Sequence, residues 1–312
     1  MTAIDRQVSI VEVGARDGLQ NEQAPVALAT RLALIDDLAA SGIRTIEAGS
    51  FVNPAAIPQM ADSDALFAAL RRAPGVTYTA LTPNVRGLER AIAARVDEVA
   101  VFAAASESFS QRNIRCSIAE SLQRFEPVLA QAATAGIPVR GYVSCVLGCP
   151  YEGSISPEAV GQVTRALLSM GCYEVSLGDT IGVGTPGSMQ ALLDVLLADT
   201  PVDRLAVHCH DTYGQALANI LIALQRGLRR IDSAVAGLGG CPFAPGATGN
   251  VATEDVVYML HGMGFDTGID LDRLIDAGNS ISAALARENA SRVATARTRR
   301  LNVQPPRHTA TS

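Results

Sequence analysis

The feature that most constrains this chain is an alternation: a short apolar run of strand type is followed by a run with helical periodicity, and the pair recurs eight times. Strands read at residues 8–13, 44–48, 76–81, 98–102, 139–146, 173–177, 205–209 and 231–236. The helices that follow them read at 26–40, 58–71, 85–94, 117–135, 157–170, 188–198, 216–226 and 253–261. Eight such units without an intervening linker predict an α/β fold of the TIM (β/α)8 type, a closed parallel barrel ringed by helices. The rival is an open doubly wound sheet, which ordinarily carries a Gly-x-Gly-x-x-Gly turn after an early strand. Here Gly14-Ala15-Arg16-Asp17-Gly18 is charged and lacks that spacing. Residues 1–296 are expected to form this one barrel domain, with 270–296 as an additional C-terminal helix. The Pro-, Arg- and Thr-rich residues 297–312 are expected to be a disordered tail.

Barrel enzymes carry their chemistry on the loops after the C-terminal ends of the strands, and the polar residues of this chain gather there. Glu12, Arg16 and Asp17 follow the first strand, Glu47 ends the second, and Tyr142 and Cys145 lie in the fifth. Asp179 follows the sixth, and the seventh ends in His208-Cys209-His210. Alternation along a strand points His208 and His210 to one side with Cα atoms roughly 6.6 Å apart, which makes half a metal site. After the eighth strand, residues 237–250 hold five glycines in fourteen positions. That loop either folds over the barrel mouth as a lid or is a flexible surface connection. A carboxylate, two imidazoles and an amide suit a hard divalent cation such as Mg²⁺ or Mn²⁺, with Asp17, His208, His210 and Asn250 as the ligands. Zn²⁺ is compatible with three of them. Taken singly, Asp17 also reads as a cap or the ion-pair partner of Arg16, and Asn250 as the N-cap of the helix after it.

Composition narrows the function. The 312 residues are 48% hydrophobic, which is ample for one large core. A net charge of −6, with no basic cluster before Arg297-Thr298-Arg299-Arg300, argues against a nucleic-acid partner. No apolar stretch reaches the roughly 18 residues of a spanning helix and the N-terminus shows no signal-type apolar segment, so no membrane is expected and the cytoplasm is. The six cysteines, at 116, 145, 149, 172, 209 and 241, show no CxxC spacing. They fit a reducing compartment rather than a disulfide framework or a structural zinc site.

Five segments together resemble the 3-hydroxy-3-methylglutaryl-CoA lyase family. They are Glu12-Val13-Gly14-Ala15-Arg16-Asp17-Gly18-Leu19-Gln20-Asn21-Glu22, Gly141-Tyr142-Val143-Ser144-Cys145, Ser176-Leu177-Gly178-Asp179-Thr180-Ile181-Gly182, Val207-His208-Cys209-His210-Asp211-Thr212-Tyr213-Gly214 and residues 237–250. The likeness runs roughly from Val8 to Glu288. It implies a barrel metallolyase that cleaves 3-hydroxy-3-methylglutaryl-CoA into acetyl-CoA and acetoacetate with a divalent cation and no redox cofactor, working as a homo-oligomer, dimer or tetramer. It assigns Asp17, His208, His210 and Asn250 to the metal, Arg16 to the charge of the departing enolate, and Cys241 to the proton that the enolate carbon takes up. Substrate contacts fall to Arg16, Tyr142 and Gln20. The group that removes the hydroxyl proton stays open among Asp17, Asp179, Glu47 and His208, and Glu47 and Asp179 match acidic positions near the family's active site. Glu12 is expected to be structural, buried against arginines in the barrel. Cys145 and Cys149 match family positions without a chemical role.

The chain also departs from the family pattern. Its members usually carry Pro before the Arg-Asp pair, Lys after Asn-Glu, and Thr-Ser followed by a Pro-Lys-Trp run after the second strand. Here those places hold Ala15, Gln23, and Gly49-Ser50 followed by Pro54-Ala55-Ala56. Losing that lysine and every tryptophan removes a charge contact and an aromatic wall, which leaves room for a related 3-hydroxyacyl-CoA with a different branch. A condensing synthase of the same superfamily is a further alternative, but it usually adds a C-terminal regulatory domain. A non-catalytic metal- or CoA-binding barrel has no use for a proton donor such as Cys241.

Overall fold

The computed structural model describes residues 6–23, 25–240 and 249–303. Eight parallel strands close on themselves in sequence order: β1 (Ser9–Glu12), β2 (Thr45–Ser50), β3 (Thr77–Leu81), β4 (Glu98–Ala104), β5 (Val139–Ser144), β6 (Glu174–Asp179), β7 (Leu205–Cys209) and β8 (Arg230–Ser233). The seam is the pairing of β1 with β8, where Ile10 stands opposite Ile231 and Glu12 opposite Ser233. The strands are buried on both faces, which is why they read as near-continuous apolar runs rather than as an alternation. The TIM barrel expected from the alternation is the observed fold.

Around the barrel run α1 (Leu28–Ala40), α2 (Ser63–Ala69), α3 (Val85–Ala93), α4 (Glu107–Ile114), α5 (Ile118–Ala135), α6 (Pro157–Met170), α7 (Pro186–Leu196), α8 (Ala216–Gln225), α9 (Thr253–Gly262), α10 (Leu271–Ala284) and α11 (Arg292–Val303). Local chemistry fixes several of their starts. Ser156 and Thr185 cap α6 and α7 with a proline at the first helical position, and Ser117 with Glu120 forms a capping box on α5. Among the described residues no helix is long and apolar enough to cross a membrane.

Three expectations are corrected. The helix expected over 58–71 is a 3-10 turn (Pro58–Met60) followed by the short α2. Buried Arg31 reaches across from α1 to Asp62 and to the Ala48 carbonyl, and holds the chain in that break. The helix α4 was not read at all; it is polar overall and starts at Ser106, whose hydroxyl accepts the Phe109 N–H at 3.1 Å. The single C-terminal helix over 270–296 is two helices, parted where Ala286 takes a left-handed φ of 52°. Asp255 starts the second by accepting from Ser291 Oγ at 2.7 Å and from the Val293 N–H at 2.9 Å. Residues 297–303, expected in a disordered tail, therefore continue α11, and 304–312 lie outside the described residues.

Candidate metal centre at the barrel mouth

Past β1 the chain makes a π-helical turn, Gly14–Gly18, which sets Arg16 and Asp17 side by side at the C-terminal mouth. The turn is pressed close to its surroundings. A Cβ on Gly14 would lie 2.6 Å from Glu12 Oε1, and one on Gly18 would lie 2.6 Å from Leu238 Cβ. Across the mouth, His208 sits in β7 and His210 one residue beyond its end, their ring centroids 5.4 Å apart, as alternation predicts. Residues 249–251 run along the end of β7, with Asp211 N–H donating to the Gly249 carbonyl at 3.1 Å and Val251 N–H to the Cys209 carbonyl at 3.0 Å. This antiparallel contact brings Asn250 to His210.

One ligand atom each from Asp17, His208 and His210 lie within 4.8 Å of one another. Asn250 joins them by donating its Nδ2 to Asp17 Oδ2 at 2.8 Å and to the Leu238 carbonyl at 3.2 Å. Its amide nitrogen rather than its oxygen therefore faces Asp17, so it fits as a ligand with the amide turned over. The donor set suits a divalent cation. Nδ1 of both histidines is buried and makes no hydrogen bond among the described residues, that of His208 lying 3.4 Å from Asp232 Oδ2. Burial and the neighbouring His208 push His210 down to about 4, which keeps it in the neutral form that binds metals. Burial alone would raise Asp17, but Arg16 and the two imidazoles outweigh it and hold the carboxylate below its usual range.

Arg16 is buried. Its NH1 donates to Asp17 Oδ1 at 2.7 Å and its NH2 to Glu47 Oε2 at 2.6 Å. Burial works against its charge, but Glu47 and Asp17 prevail and raise its pKa. Tyr142 stands edge-on to His208 with centroids 6.3 Å apart, and its hydroxyl accepts from Arg140 NH1 at 3.0 Å and donates to Glu47 Oε2 at 3.4 Å. These groups border a cavity of about 200 Å³. Its lining includes Arg16, Asp17, Gln20, Tyr142, His208 and His210, and also the apolar side chains of Val52, Ile57, Leu81, Phe102 and Phe109.

Two acidic residues expected at the reaction centre stand back from that cavity. Both oxygens of Asp179 accept backbone N–H groups, of Val183 at 3.2 Å and Gly184 at 2.9 Å, so it braces the loop after β6; burial pushes it up to about 6. Glu47 is buried behind Arg16. Glu12 corrects another expectation. Among the described residues it meets no arginine but accepts the Gly14 N–H at 2.8 Å, the Val235 N–H at 2.9 Å and the Thr253 hydroxyl at 2.5 Å. Cys241 lies outside the described residues. The reading of the sequence passed over Arg140 and Asp232, which are joined by contacts of 2.8 and 3.1 Å in the barrel interior. The available signal was a charge in the middle of a strand that is otherwise apolar and buried on both faces, where it needs a partner.

A closed barrel with a carboxylate and two imidazoles gathered at its C-terminal mouth beside a buried guanidinium defines a class of barrel enzymes with a candidate metal centre. The chain belongs to the HMGL-like family, whose model matches residues 7–281. It is an enzyme of the hydroxymethylglutaryl-CoA lyase type. A 3-hydroxy-3-isohexenylglutaryl-CoA/hydroxymethylglutaryl-CoA lyase of Pseudomonas aeruginosa is 57% identical over 293 residues, 94% of this chain and 98% of that one. A crystal structure of hydroxymethylglutaryl-CoA lyase from Pseudomonas aeruginosa superposes with a TM-score of 0.93 at 57% identity, covering 95% of this chain and 98% of the other. An HMG-CoA lyase from Acinetobacter baumannii, solved with coenzyme A and 3-methylmalate, gives a TM-score of 0.90 at 36% identity over 100% and 99% of the two chains.

Proposed function

We propose that this chain cleaves 3-hydroxy-3-methylglutaryl-CoA into acetyl-CoA and acetoacetate, a reverse Claisen reaction without redox chemistry. The observation that carries the reading is the meeting, in the lining of one cavity, of the Asp17, His208 and His210 cluster with the buried guanidinium of Arg16. Scission requires a tertiary hydroxyl to lose its proton while the departing thioester enolate gains charge. The donor set supports a divalent cation, Mg²⁺ or Mn²⁺, held by Asp17, His208, His210 and the Asn250 amide oxygen; when bound it supplies Lewis acidity toward an alcohol oxygen.

The rest falls to the chain's own groups. Arg16, fixed by Glu47 and Asp17 and always protonated, receives the enolate charge. Gln20, whose buried Oε1 lacks a partner among the described residues, and the Tyr142 ring border the acyl group. Of the four candidates for taking the hydroxyl proton, Asp17 and His208 line the cavity, whereas Glu47 is engaged by Arg16 and Asp179 by backbone amides. Cys241 returns a proton to the enolate carbon; a thiol with an ordinary pKa of about 8.5 is mostly protonated at neutral pH. Coenzyme A bound to the Acinetobacter baumannii relative supports an acyl-CoA substrate. The scattered cysteines without CxxC spacing support a cytoplasmic setting.

The apolar part of the cavity lining favours a second substrate with a longer branch. Five side chains, Val52, Ile57, Leu81, Phe102 and Phe109, offer a hydrocarbon more than a methyl group needs, and the Pseudomonas aeruginosa relative is named for an isohexenyl thioester as well. The test is acetyl-CoA release by the metal-stripped, full-length protein, with and without added Mn²⁺, from the methyl and the isohexenyl thioester. Mn²⁺-dependent release from the methyl thioester is expected, with slower release from the longer one. Failure to release acetyl-CoA from either would discard the reading.

A further inference from the structure

The imidazole of His208 has a second neighbour behind it. Its Nδ1 lies 3.4 Å from Asp232 Oδ2, and the register of β7 on β8 sets these two residues directly opposite each other. Asp232 is gripped from two other strands. Arg140 on β5 reaches Oδ2 with NH1 at 3.1 Å and Oδ1 with NH2 at 2.8 Å, and Ser176 on β6 donates its hydroxyl to Oδ2 at 2.7 Å. Arg140 is anchored in turn by its Nε on Glu174 Oε1 at 2.7 Å. All of these side chains are buried. A buried carboxylate costs several kcal/mol unless it is paired, so the pairing with Arg140 is what permits an anion to stand behind the imidazole.

We propose that Asp232 is a positioning residue for His208, fixing its ring orientation and tautomer so that the ring presents its other nitrogen to the cation. The inference rests on the metal-centre reading above. A carboxylate placed behind a ligating histidine keeps Nδ1 as the protonated nitrogen, and raises the basicity of the nitrogen that binds. The support is one-sided: neither Nδ1 makes a hydrogen bond among the described residues, but His208 has the Asp232 carboxylate 3.4 Å away, and no such contact with His210 is found among them. The same buried network runs on from Arg140 through the Tyr142 hydroxyl and Glu47 to Arg16. The group holding the metal ligand and the group meeting the enolate thus share one frame.

The test titrates full-length, metal-stripped protein with Mn²⁺ alone and follows free Mn²⁺ by electron paramagnetic resonance. Asp232→Asn should bind about ten- to a hundredfold more weakly than wild type. Glu174→Gln, which removes the other acid on Arg140 without touching His208, should bind within a few-fold of wild type. If Asp232→Asn does not fold, Asp232→Glu keeps a charge for Arg140 but displaces the oxygen from His208, and should still weaken binding several-fold. Equal binding by wild type and the folded Asp232 variant overturns the assignment, as does equal weakening in Glu174→Gln, which would mean a general loosening of the network. A wild type that takes up no Mn²⁺ overturns the metal-centre reading, and this inference with it.

Discussion

Two pairs of acids inside this barrel are charged by opposite rules. Asp17 and Asp232, near the mouth, face cations. Burial pushes both up, but Arg16 and Arg140 respectively, with help from His208, hold them below the usual carboxylate range. Glu12 and Glu254, in the seam where β1 and β8 meet α9, are served by backbone amides and hydroxyls instead. Burial pushes Glu12 up to about 7 and Glu254 to about 8, the hydrogen bonds offset only part of this, and the charge of Glu12 adds to the shift on Glu254. The seam acids also do a different job. Both oxygens of Glu254 accept the N–H of Ala236, at 3.1 and 3.0 Å, a non-glycine residue held at φ 57°. Glu12 binds the N–H of Val235 beside it. The mouth acids are kept ionised by their cations; the seam acids pin a strained turn at the root of the glycine-rich loop.

The hardest test of that contrast is to take the cation away. Arg16→Gln leaves Glu47 buried with no guanidinium and Asp17 with one partner fewer. Breaking a buried pair from one side costs about 3–5 kcal/mol, and losing a donor to a developing oxyanion costs roughly 10²–10³ in turnover. Both losses are expected, one read by urea denaturation and the other by acetyl-CoA release. Wild-type turnover in a folded Arg16→Gln protein would remove the guanidinium from the mechanism.

The sequence made the Asp17, His208 and His210 cluster easier to foresee than the seam. Eightfold alternation carried the barrel, and His-x-His on a strand carried the shared side of the two imidazoles, because both are local periodicities. Asp17 and Arg16 were legible as adjacent charges after a strand. The role of Glu254 depends on the turn at Ala236, which no local pattern announces, and Glu12 lacked its expected arginine because its partners come from positions 235 and 253. Asp232 was hidden for the same reason: its meaning lies in Arg140, 92 positions away.

The seam should show itself in pH dependence. The folded-state pKa values of Glu12 and Glu254 lie above the unfolded value of 4.5. Their contribution to stability is therefore fully present below about 4.5 and is lost as pH rises through about 7 and 8. Asp17 has the opposite sign, losing stability only as pH falls through its depressed value, and the slopes that His210, at about 4, and Asp179, at about 6, add near the mouth are common to wild type and a seam variant. Glu254→Gln cannot ionise, and should flatten the decline in unfolding free energy between pH 5.5 and 9 by at least about 1.4 kcal/mol, one unit of the shift. Parallel pH profiles for wild type and variant would mean that the seam acids are not the opposite of the mouth acids.

The smallest effect belongs to Asn289, which donates its Nδ2 to Glu254 Oε1 at 3.4 Å and to Asn279 Oδ1 at 3.1 Å, while its Oδ1 accepts the Ser291 N–H at 2.9 Å. The bond to Glu254 is long and the residue is only partly buried, so Asn289→Ala should cost about 0.5–1.5 kcal/mol. Its sign on the slope is fixed. That donor favours the ionised carboxylate, so removing it moves Glu254 further up and makes the loss of stability above pH 7 steeper. Repeating the change in the Glu254→Gln background separates the two parts. The change in slope should vanish there, while the loss from the Asn279 and Ser291 contacts stays. If the slope change persists without Glu254, the titrating group in the seam is Glu12 alone, and if Asn289→Ala also shifts Mn²⁺ affinity, the seam and the mouth are not the separate compartments their charges describe.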